Sequence, residues 1–218
     1  MMQTLDDYIL EHIDAEPEFL HTLDRDTHLY HLRPRMCSGH LQGRILKMLV
    51  RMIRPRRILE LGTFTGYSAL CLAEGMPESS ELHTIEIDDE LEDFIRSHFD
   101  SSEFADRLHL HIGDAKEILA SMGDVKFDLV FMDANKREYC EYYDLVFPML
   151  EEGGFIIADN TLWDGHVVDE SHLKDAQTQG IVRFNKMVAM DDRVEKVILP
   201  IRDGLTLIRK RPKCELYY

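Results

Sequence analysis

Hydrophobic positions have helical spacing along the first part of the chain. Apolar residues recur every three or four positions at Leu41, Ile45, Met48, Leu49, Met52 and Ile53. Basic residues fall on the other side of this helix, at Arg44, Lys47, Arg51 and Arg54. Pro55 is predicted to end the helix because a proline disfavours helical backbone in the residue before it. Residues 1–55 are therefore predicted to form a helical cap.

After Pro55, short apolar runs alternate with amphipathic stretches. The apolar runs predict strands at 57–61, 81–87, 108–112, 127–132 and 154–158. The stretches between them predict helices at 67–74, 89–99, 115–122 and 139–150. Runs such as Leu129 to Met132 show little polar alternation, which is typical of parallel strands covered on both faces. This order predicts a doubly wound α/β sheet with right-handed crossovers.

The chain ends in a different pattern. A helix is predicted at 175–189, followed by strands at 194–201 and 205–210 that are joined by the turn Arg202-Asp203-Gly204. Two strands with so short a connection must be antiparallel, because a parallel crossover needs a dozen or more residues. We therefore predict a seven-stranded, mostly parallel sheet that closes on an antiparallel C-terminal strand. This arrangement favours methyltransferases over dehydrogenases.

Length, charge and cysteine content narrow the class of protein. The 218 residues fit one domain, with the cap at 1–55 and a Rossmann-like core at 56–218. No run reaches the ~20 apolar residues of a membrane span, and no secretory signal is evident, so a cytoplasmic protein is expected. The four cysteines are widely spaced, which predicts free thiols and neither a zinc site nor a redox dithiol. The net charge of -16 opposes general attraction to nucleic acid or membranes.

One stretch has the opposite charge. Residues 33–57 carry eight basic side chains and no acidic one. The ordinary interpretation is a solvated helix face, and the alternative is a local patch for a phosphate-bearing substrate.

The loop after the first predicted strand indicates a cofactor site. It contains Gly62 and Gly66 and lies at a strand's carboxyl end, where α/β sheets bind ligands. Phe64 stands where a dinucleotide loop needs glycine, so a cofactor without phosphates, such as S-adenosylmethionine, fits better. Glu86 ends the second strand, at the spacing of a carboxylate that accepts from ribose hydroxyls. Asp114 follows the third strand, where an adenine would lie.

Oxygen-bearing side chains follow the fourth and fifth predicted strands. Asp133 ends one strand, and Asp159 and Asn160 end the other. If these strands are neighbours, the three side chains form a hard-oxygen site suited to Mg²⁺ first, and to Mn²⁺ or Ca²⁺. The alternative is that they cap helices. Lys136 is a candidate general base, because a nearby metal ion disfavours the protonated amine.

Two histidines alternate on the third predicted strand. His109 and His111 suggest metal ligation, but no third soft ligand is evident nearby. We therefore interpret them as polar-face or packing residues.

The strings Leu59 to Ser68, Met132 to Lys136 and Ala158 to Trp163 resemble those of the cation-dependent O-methyltransferases, the group of catechol and caffeoyl-CoA O-methyltransferases and their bacterial relatives. The likeness runs from about residue 36 to residue 210. It implies a Rossmann-like class I methyltransferase fold, with Asp133, Asp159 and Asn160 as metal ligands and Lys136 as base.

The resemblance also implies the residues that bind the methyl donor. The cofactor-binding set is Met36, Glu60, Gly62, Thr63, Ser68, Glu86, Asp114, Ala115 and Asp133. Within this set, Met36 would cover the cofactor, Ser68 would lie near its methionine end and Ala115 near its adenine. Trp163 resembles a wall of the acceptor pocket.

The leading functional hypothesis is therefore methyl transfer from S-adenosylmethionine to one hydroxyl of a catechol-like small molecule. The basic stretch at 33–57 keeps a tRNA hydroxyuridine acceptor open as an alternative. A non-catalytic scaffold that retains the fold is a third possibility. A homodimer is expected from the habit of this class.

Overall fold

Three helices precede the first strand. The computed structural model describes residues 3–215. Its first helices are α1 (Leu5–Glu11), α2 (Glu18–Tyr30) and α3 (Gly39–Ile53). Arg54 adopts left-handed backbone at a φ of 54°, directly before Pro55, and this ends α3 where the sequence predicts. The cap is therefore helical, as expected.

Seven strands form one mixed sheet. They are β1 (Arg57–Leu61), β2 (Glu81–Glu86), β3 (Leu108–Ile112), β4 (Phe127–Met132), β5 (Leu150–Ala158), β6 (Val194–Leu199) and β7 (Leu205–Lys210). The spatial order is β3-β2-β1-β4-β5-β7-β6. All pairings among β1 to β5 are parallel, whereas β7 runs antiparallel to both of its neighbours. The predicted doubly wound sheet with an antiparallel closing strand is confirmed.

Helices cover both faces of the sheet. The remaining ones are α4 (Tyr67–Gly75), α5 (Glu92–Asp100), α6 (Ala115–Ser121), α7 (Tyr139–Val146) and α8 (Ala176–Met190). Ile58 and Leu129 point into a core shared with α2 to α5, and Leu59 and Val130 point into a core shared with α6 to α8. Each such fully buried side chain contributes about 1.5–3 kcal/mol. Within residues 3–215, no helix combines the length and apolar character needed to cross a membrane.

Several predicted boundaries are wrong. β5 begins at Leu150 and not at residue 154, and prolines lie at two of the other boundaries. The helix predicted at 139–150 ends at Val146. Pro148 has no amide hydrogen with which to continue the helix, and Leu150 already pairs with Phe127 in the sheet. Likewise β6 ends at Leu199, because the next residue is a proline that cannot donate to the ladder.

The buried face of α3 is also rotated from the predicted one. Leu46 and Val50 are fully buried, whereas Met48 and Met52 are 55% and 72% exposed. The periodicity of the apolar residues predicted the helix correctly, but it could not distinguish between apolar side chains on two adjoining faces.

The basic stretch at 33–57 does not form one solvated face. Arg44 and Lys47 are largely buried and both pair with Glu74 of α4, with Arg44 Nη2 lying 2.6 Å from Glu74 Oε2. The solvated-face interpretation is therefore wrong for these two residues, because α3 packs directly against α4. Arg33 and Arg35 are exposed, and they lie beside the cavity described next.

Candidate active site

The carboxyl ends of the parallel strands open into a cavity of about 1370 Å³. Residues 30–38 and the turn between β6 and β7 form further parts of its wall. The cavity brings together most of the predicted site residues. Those that line it are Met36, Gly62, Thr63, Ser68, Glu86, Ala115, Asp133, Lys136, Asp159, Asn160 and Trp163.

The turn after β1 packs against the end of β4. Gly62 has a φ of 94°, a left-handed conformation that favours glycine. A Cβ atom on Gly62 would lie only 2.4 Å from the backbone oxygen of Asp133. The Asp133 amide in turn donates to the Leu61 carbonyl at 2.8 Å. The glycine therefore allows the predicted cofactor loop and the predicted metal ligand to share one corner of the cavity.

Glu86 projects from the end of β2 into the same cavity. Its two carboxylate oxygens accept from the backbone amides of Phe64 at 2.7 Å and Asp88 at 3.0 Å. Burial raises the pKa of Glu86, although these two amides favour the charged form. Each oxygen has two lone pairs, so Glu86 can still accept from two hydroxyl groups.

Two predicted cofactor residues do not reach the cavity wall. Glu60 is fully buried behind it, where the Thr84 hydroxyl donates to Glu60 Oε2 at 2.5 Å. Glu60 Oε1 has no hydrogen-bond partner among the described residues. Burial raises the pKa of Glu60 to about 8. Asp114 instead caps α6, because its side chain accepts from the Lys116 amide at 2.8 Å.

Lys136 and Asp133 form a close pair at the end of β4. Lys136 Nζ donates to Asp133 Oδ1 at 2.5 Å and to the Ala134 carbonyl at 3.1 Å. The lysine is only 9% exposed. Gly180 of α8 keeps its surroundings compact, because a Cβ atom there would lie 2.3 Å from the Lys136 carbonyl oxygen. The amine is therefore held beside a carboxylate on a backbone segment fixed by α8.

Asp159 lies at the end of β5, next to β4 in the sheet, so the predicted adjacency of the two strand ends is confirmed. It is 4% exposed and accepts from Gln42 Nε2 at 2.5 Å and from the Asn160 amide at 2.7 Å. Burial and the negative charge of Asp133 raise the pKa of Asp159. Asn160 has a left-handed φ of 57° and also lines the cavity. Two carboxylates thus lie close together at adjacent strand ends. Asn160 follows them on the same cavity wall, where its side-chain amide lies 3.4 Å from Asp203 Oδ2.

Two further groups shape this site and were not predicted from the sequence. Gln42 occupies the same buried face of α3 as Leu46 and Val50, at helical spacing, and this polar interruption was the available signal. Asp203 in the β6–β7 turn accepts through its backbone oxygen from the Leu162 and Trp163 amides, at 2.7 and 3.0 Å. No local pattern connects residues forty positions apart, so this contact needed the fold.

The sheet order and the position of the cavity define a Rossmann-like class I methyltransferase. The sequence model of the O-methyltransferase family matches residues 10–211. The chain therefore belongs to the O-methyltransferase family.

Similar proteins agree with this assignment. The chain is 34% identical to a catechol O-methyltransferase from Niastella koreensis over 80% of this chain and 82% of that protein. It is 32% identical to caffeoyl-CoA O-methyltransferase 1 from Zea mays over 89% of this chain and 79% of that protein. An O-methyltransferase from Bacillus cereus, solved with S-adenosylhomocysteine, has a TM-score of 0.89 at 27% identity, covering 95% of this chain and 97% of that one. The prediction of an S-adenosylmethionine-dependent O-methyltransferase is confirmed.

Proposed function

We propose that this chain is a divalent-cation-dependent O-methyltransferase that methylates one hydroxyl of a catechol-like small molecule. The observation that carries the proposal is the convergence of Asp133, Asp159 and Asn160 beside Lys136 in one cavity. The names of the catechol and caffeoyl-CoA relatives support an aromatic acceptor with neighbouring hydroxyls.

Asp133, Asp159 and Asn160 are the residues that would hold the cation. Their donor set consists of hard oxygens, which suit Mg²⁺ best and also Mn²⁺ or Ca²⁺. The electrostatics of the cavity fit a cation as well. Burial and the charge of Asp133 make an ionised Asp159 unfavourable in the protein alone, and a bound divalent cation would offset both effects.

Lys136 is the proposed proton acceptor. Bound S-adenosylmethionine supplies the methyl group, and a bound divalent cation supplies Lewis-acid polarisation of the acceptor hydroxyl. The Lys136 amine would accept the hydroxyl proton, and Asp133, within 2.5 Å, would stabilise the resulting ammonium. Burial against α8 limits the positions of the amine, so less ordering is needed before the proton transfer.

The cofactor side of the cavity suits a nucleoside. Glu86 has two free acceptor positions for ribose hydroxyls. Ala115 would lie against the adenine, Thr63 and Ser68 near the methionine portion, and Met36 over the cofactor. Glu60 and Asp114 would act indirectly, Glu60 from behind the cofactor loop and Asp114 by shaping the start of α6.

The acceptor side favours a small molecule over tRNA. The basic stretch that suggested tRNA is divided, because Arg44 and Lys47 are largely buried and both pair with Glu74. Trp163 lines the cavity and is the proposed wall against which an aromatic ring packs. The homodimer, the cytoplasmic location and the choice of metal remain predictions.

An acceptor screen with Asp159→Asn tests this proposal. Transfer of a labelled methyl group to small catechols, CoA esters and bulk tRNA is measured with Mg²⁺ or Mn²⁺ and with EDTA. We expect catechol methylation that EDTA abolishes, and a loss of about 100-fold or more in Asp159→Asn. Asp169→Asn, the same change on an exposed loop, serves as the control. Catechol methylation that persists in EDTA and in Asp159→Asn would contradict the metal mechanism.

Calorimetry with S-adenosylmethionine separates the catalytic hypothesis from the scaffold hypothesis. We expect Asp159→Asn to bind the methyl donor, because this substitution keeps the size of the side chain and the protein is expected to fold normally. Donor binding without methyl transfer to any acceptor class, in the unsubstituted protein with either metal, would favour a scaffold. A methoxylated nucleoside formed only in bulk tRNA would favour the tRNA alternative.

A further inference from the structure

Four polar side chains lie together on β2 and β3, and none of them lines the cavity. Glu81 and His83 alternate on β2, and His109 and His111 alternate on β3, with His83 directly opposite His109. Since side chains alternate along a strand, all four project from the same face of the sheet. Along β2, Glu81 lies about 16 Å and His83 about 10 Å from Glu86 on the cofactor side.

His109 and His111 were interpreted as packing residues because no third ligand was evident, and this reason no longer holds. A third ligand is distant in the sequence but close in the fold, because His83 of β2 lies opposite His109 of β3. The parallel pairing of β2 and β3 brings both Glu81 and His83 to His109, with potential ligand atoms of the three side chains within 4.8 Å of one another.

The distances fit a small cation better than direct hydrogen bonds. Glu81 Oε2 lies 3.5 Å from His109 Nε2, and Glu81 Oε1 lies 3.7 Å from His83 Nε2. Both separations exceed the normal range for N–H···O bonds. Ligand atoms around a tetrahedral Zn²⁺ ion, with bonds of about 2.0–2.1 Å, lie about 3.3 Å apart. Glu81 Oε2 and His109 Nε2 therefore need to move only a few tenths of an ångström to bind one ion. The three ligand atoms all lie within 4.8 Å of one another, so the third ligand, His83, needs a movement of about an ångström or more.

Surrounding groups hold the potential ligands from behind. His83 Nδ1 and His111 Nε2 are 3.1 Å apart, within hydrogen-bond distance. Arg57 Nε donates to Glu81 Oε1 at 2.5 Å and leaves Oε2 directed towards His109. Ligating imidazoles and carboxylates usually have such partners, which orient them. The side chains of His109 and Glu81 are 41% and 36% exposed, so an ion can enter from solvent.

We propose that Glu81, His83 and His109 form a binding site for Zn²⁺ or a similar transition-metal ion, with water as a further ligand. Two imidazoles and one carboxylate suit such borderline ions, whereas the all-oxygen set of the cavity suits Mg²⁺. Because β3 is an edge strand, the ion would tie the edge of the sheet to β2. Its expected effect is on stability, and the site is independent of the proposed reaction.

Cobalt provides a direct probe, because Co²⁺ has visible absorption bands when imidazoles bind it in four-coordinate geometry. Full-length protein is titrated with Co²⁺ in excess Mg²⁺, and Zn²⁺ is then added in competition. We expect the band in the unsubstituted protein and in Asp159→Asn, and its displacement by Zn²⁺. His109→Asn should lose the band, and Glu81→Gln should weaken Zn²⁺ binding about ten-fold or more.

The control removes the other close pair of histidines. His166 and His172 stack with their ring centroids 3.8 Å apart in a surface loop. The double variant His166→Asn/His172→Asn should keep the Co²⁺ band, and Zn²⁺ should still raise its melting temperature but not that of His109→Asn. A band that persists in His109→Asn, or the absence of any band in the unsubstituted protein, would overturn the proposal. Neither result depends on methyl transfer, so the proposed function is tested separately.

Discussion

The buried carboxyl group of Glu60 should make the stability of the ligand-free protein depend on pH. Burial raises the pKa of Glu60 from 4.5 to about 8, so the folded protein keeps this proton at neutral pH. The unfolded chain releases the proton above about pH 4.5. Glu60→Gln replaces the protonated acid with an uncharged group of the same shape, which cannot ionise in either state.

The direction of this pH dependence follows from the number of protons bound to the folded and to the unfolded protein. The stability supplied by the Glu60 proton is fully present below about pH 4.5, and it is lost as the pH rises to about 8. The ceiling of this loss is about 5 kcal/mol, because each pKa unit corresponds to about 1.4 kcal/mol. Between about pH 5.5 and pH 9, the stability of Glu60→Gln should therefore increase relative to the unsubstituted protein by about 3 kcal/mol.

Urea unfolding at several pH values, without cofactor, measures this difference. The new amide group faces the position where Glu60 Oε1 has no partner, and this costs a fixed amount of folding free energy. The cost is the same at every pH, so it does not change the slope of stability against pH. Glu103→Gln makes the same change at an exposed position and should follow the unsubstituted protein throughout. Parallel pH profiles for Glu60→Gln and the unsubstituted protein would refute the assignment of a buried, protonated Glu60.

Three further substitutions test contacts that fix the site. Gly62→Ala should destabilise the fold by about 2 kcal/mol or more in urea unfolding, because its φ is 94° and a Cβ atom would overlap the β4 end; an unchanged midpoint would contradict this packing. Glu74→Gln should cost about 2–3 kcal/mol in the same assay, since two largely buried cations lose their charged partner. Gln42→Leu should weaken Mg²⁺ binding in calorimetry about ten-fold or more, because Asp159 loses a charged hydrogen bond, while donor binding persists.

Most of the fold could be predicted because each strand is a short apolar run between polar loops. β1, β3, β4 and β7 have the predicted bounds. The antiparallel closing strand followed from the length of one turn, since only a hairpin fits between Leu199 and Leu205. The wrong predictions concern features that tertiary contacts determine. The face of α3 depends on α4, and the start of β5 depends on a pairing between Leu150 and Phe127.

The part of the candidate site that lies at the ends of parallel strands could be predicted from the sequence. Parallel strands place their carboxyl ends at one edge of the sheet, so Glu86, Asp133 and Asp159 could be brought together from the sequence. The direction of a side chain at a strand end is less predictable. Asp114 caps its own helix, and Glu60 points behind the loop, since each competes for the nearest donors.

The proposed acceptor wall depends on a contact between residues that are distant in the sequence. Trp163 and Asp164 have left-handed φ values of 47° and 51°, which cost free energy for residues other than glycine. The carbonyl oxygen of Asp203 accepts from the Trp163 amide and from the preceding amide, and these bonds hold the segment in place. The β6–β7 turn therefore holds the proposed acceptor wall from forty residues away. The motifs that indicate the class of reaction are local strand ends, whereas the proposed acceptor wall depends on a contact that only the fold creates.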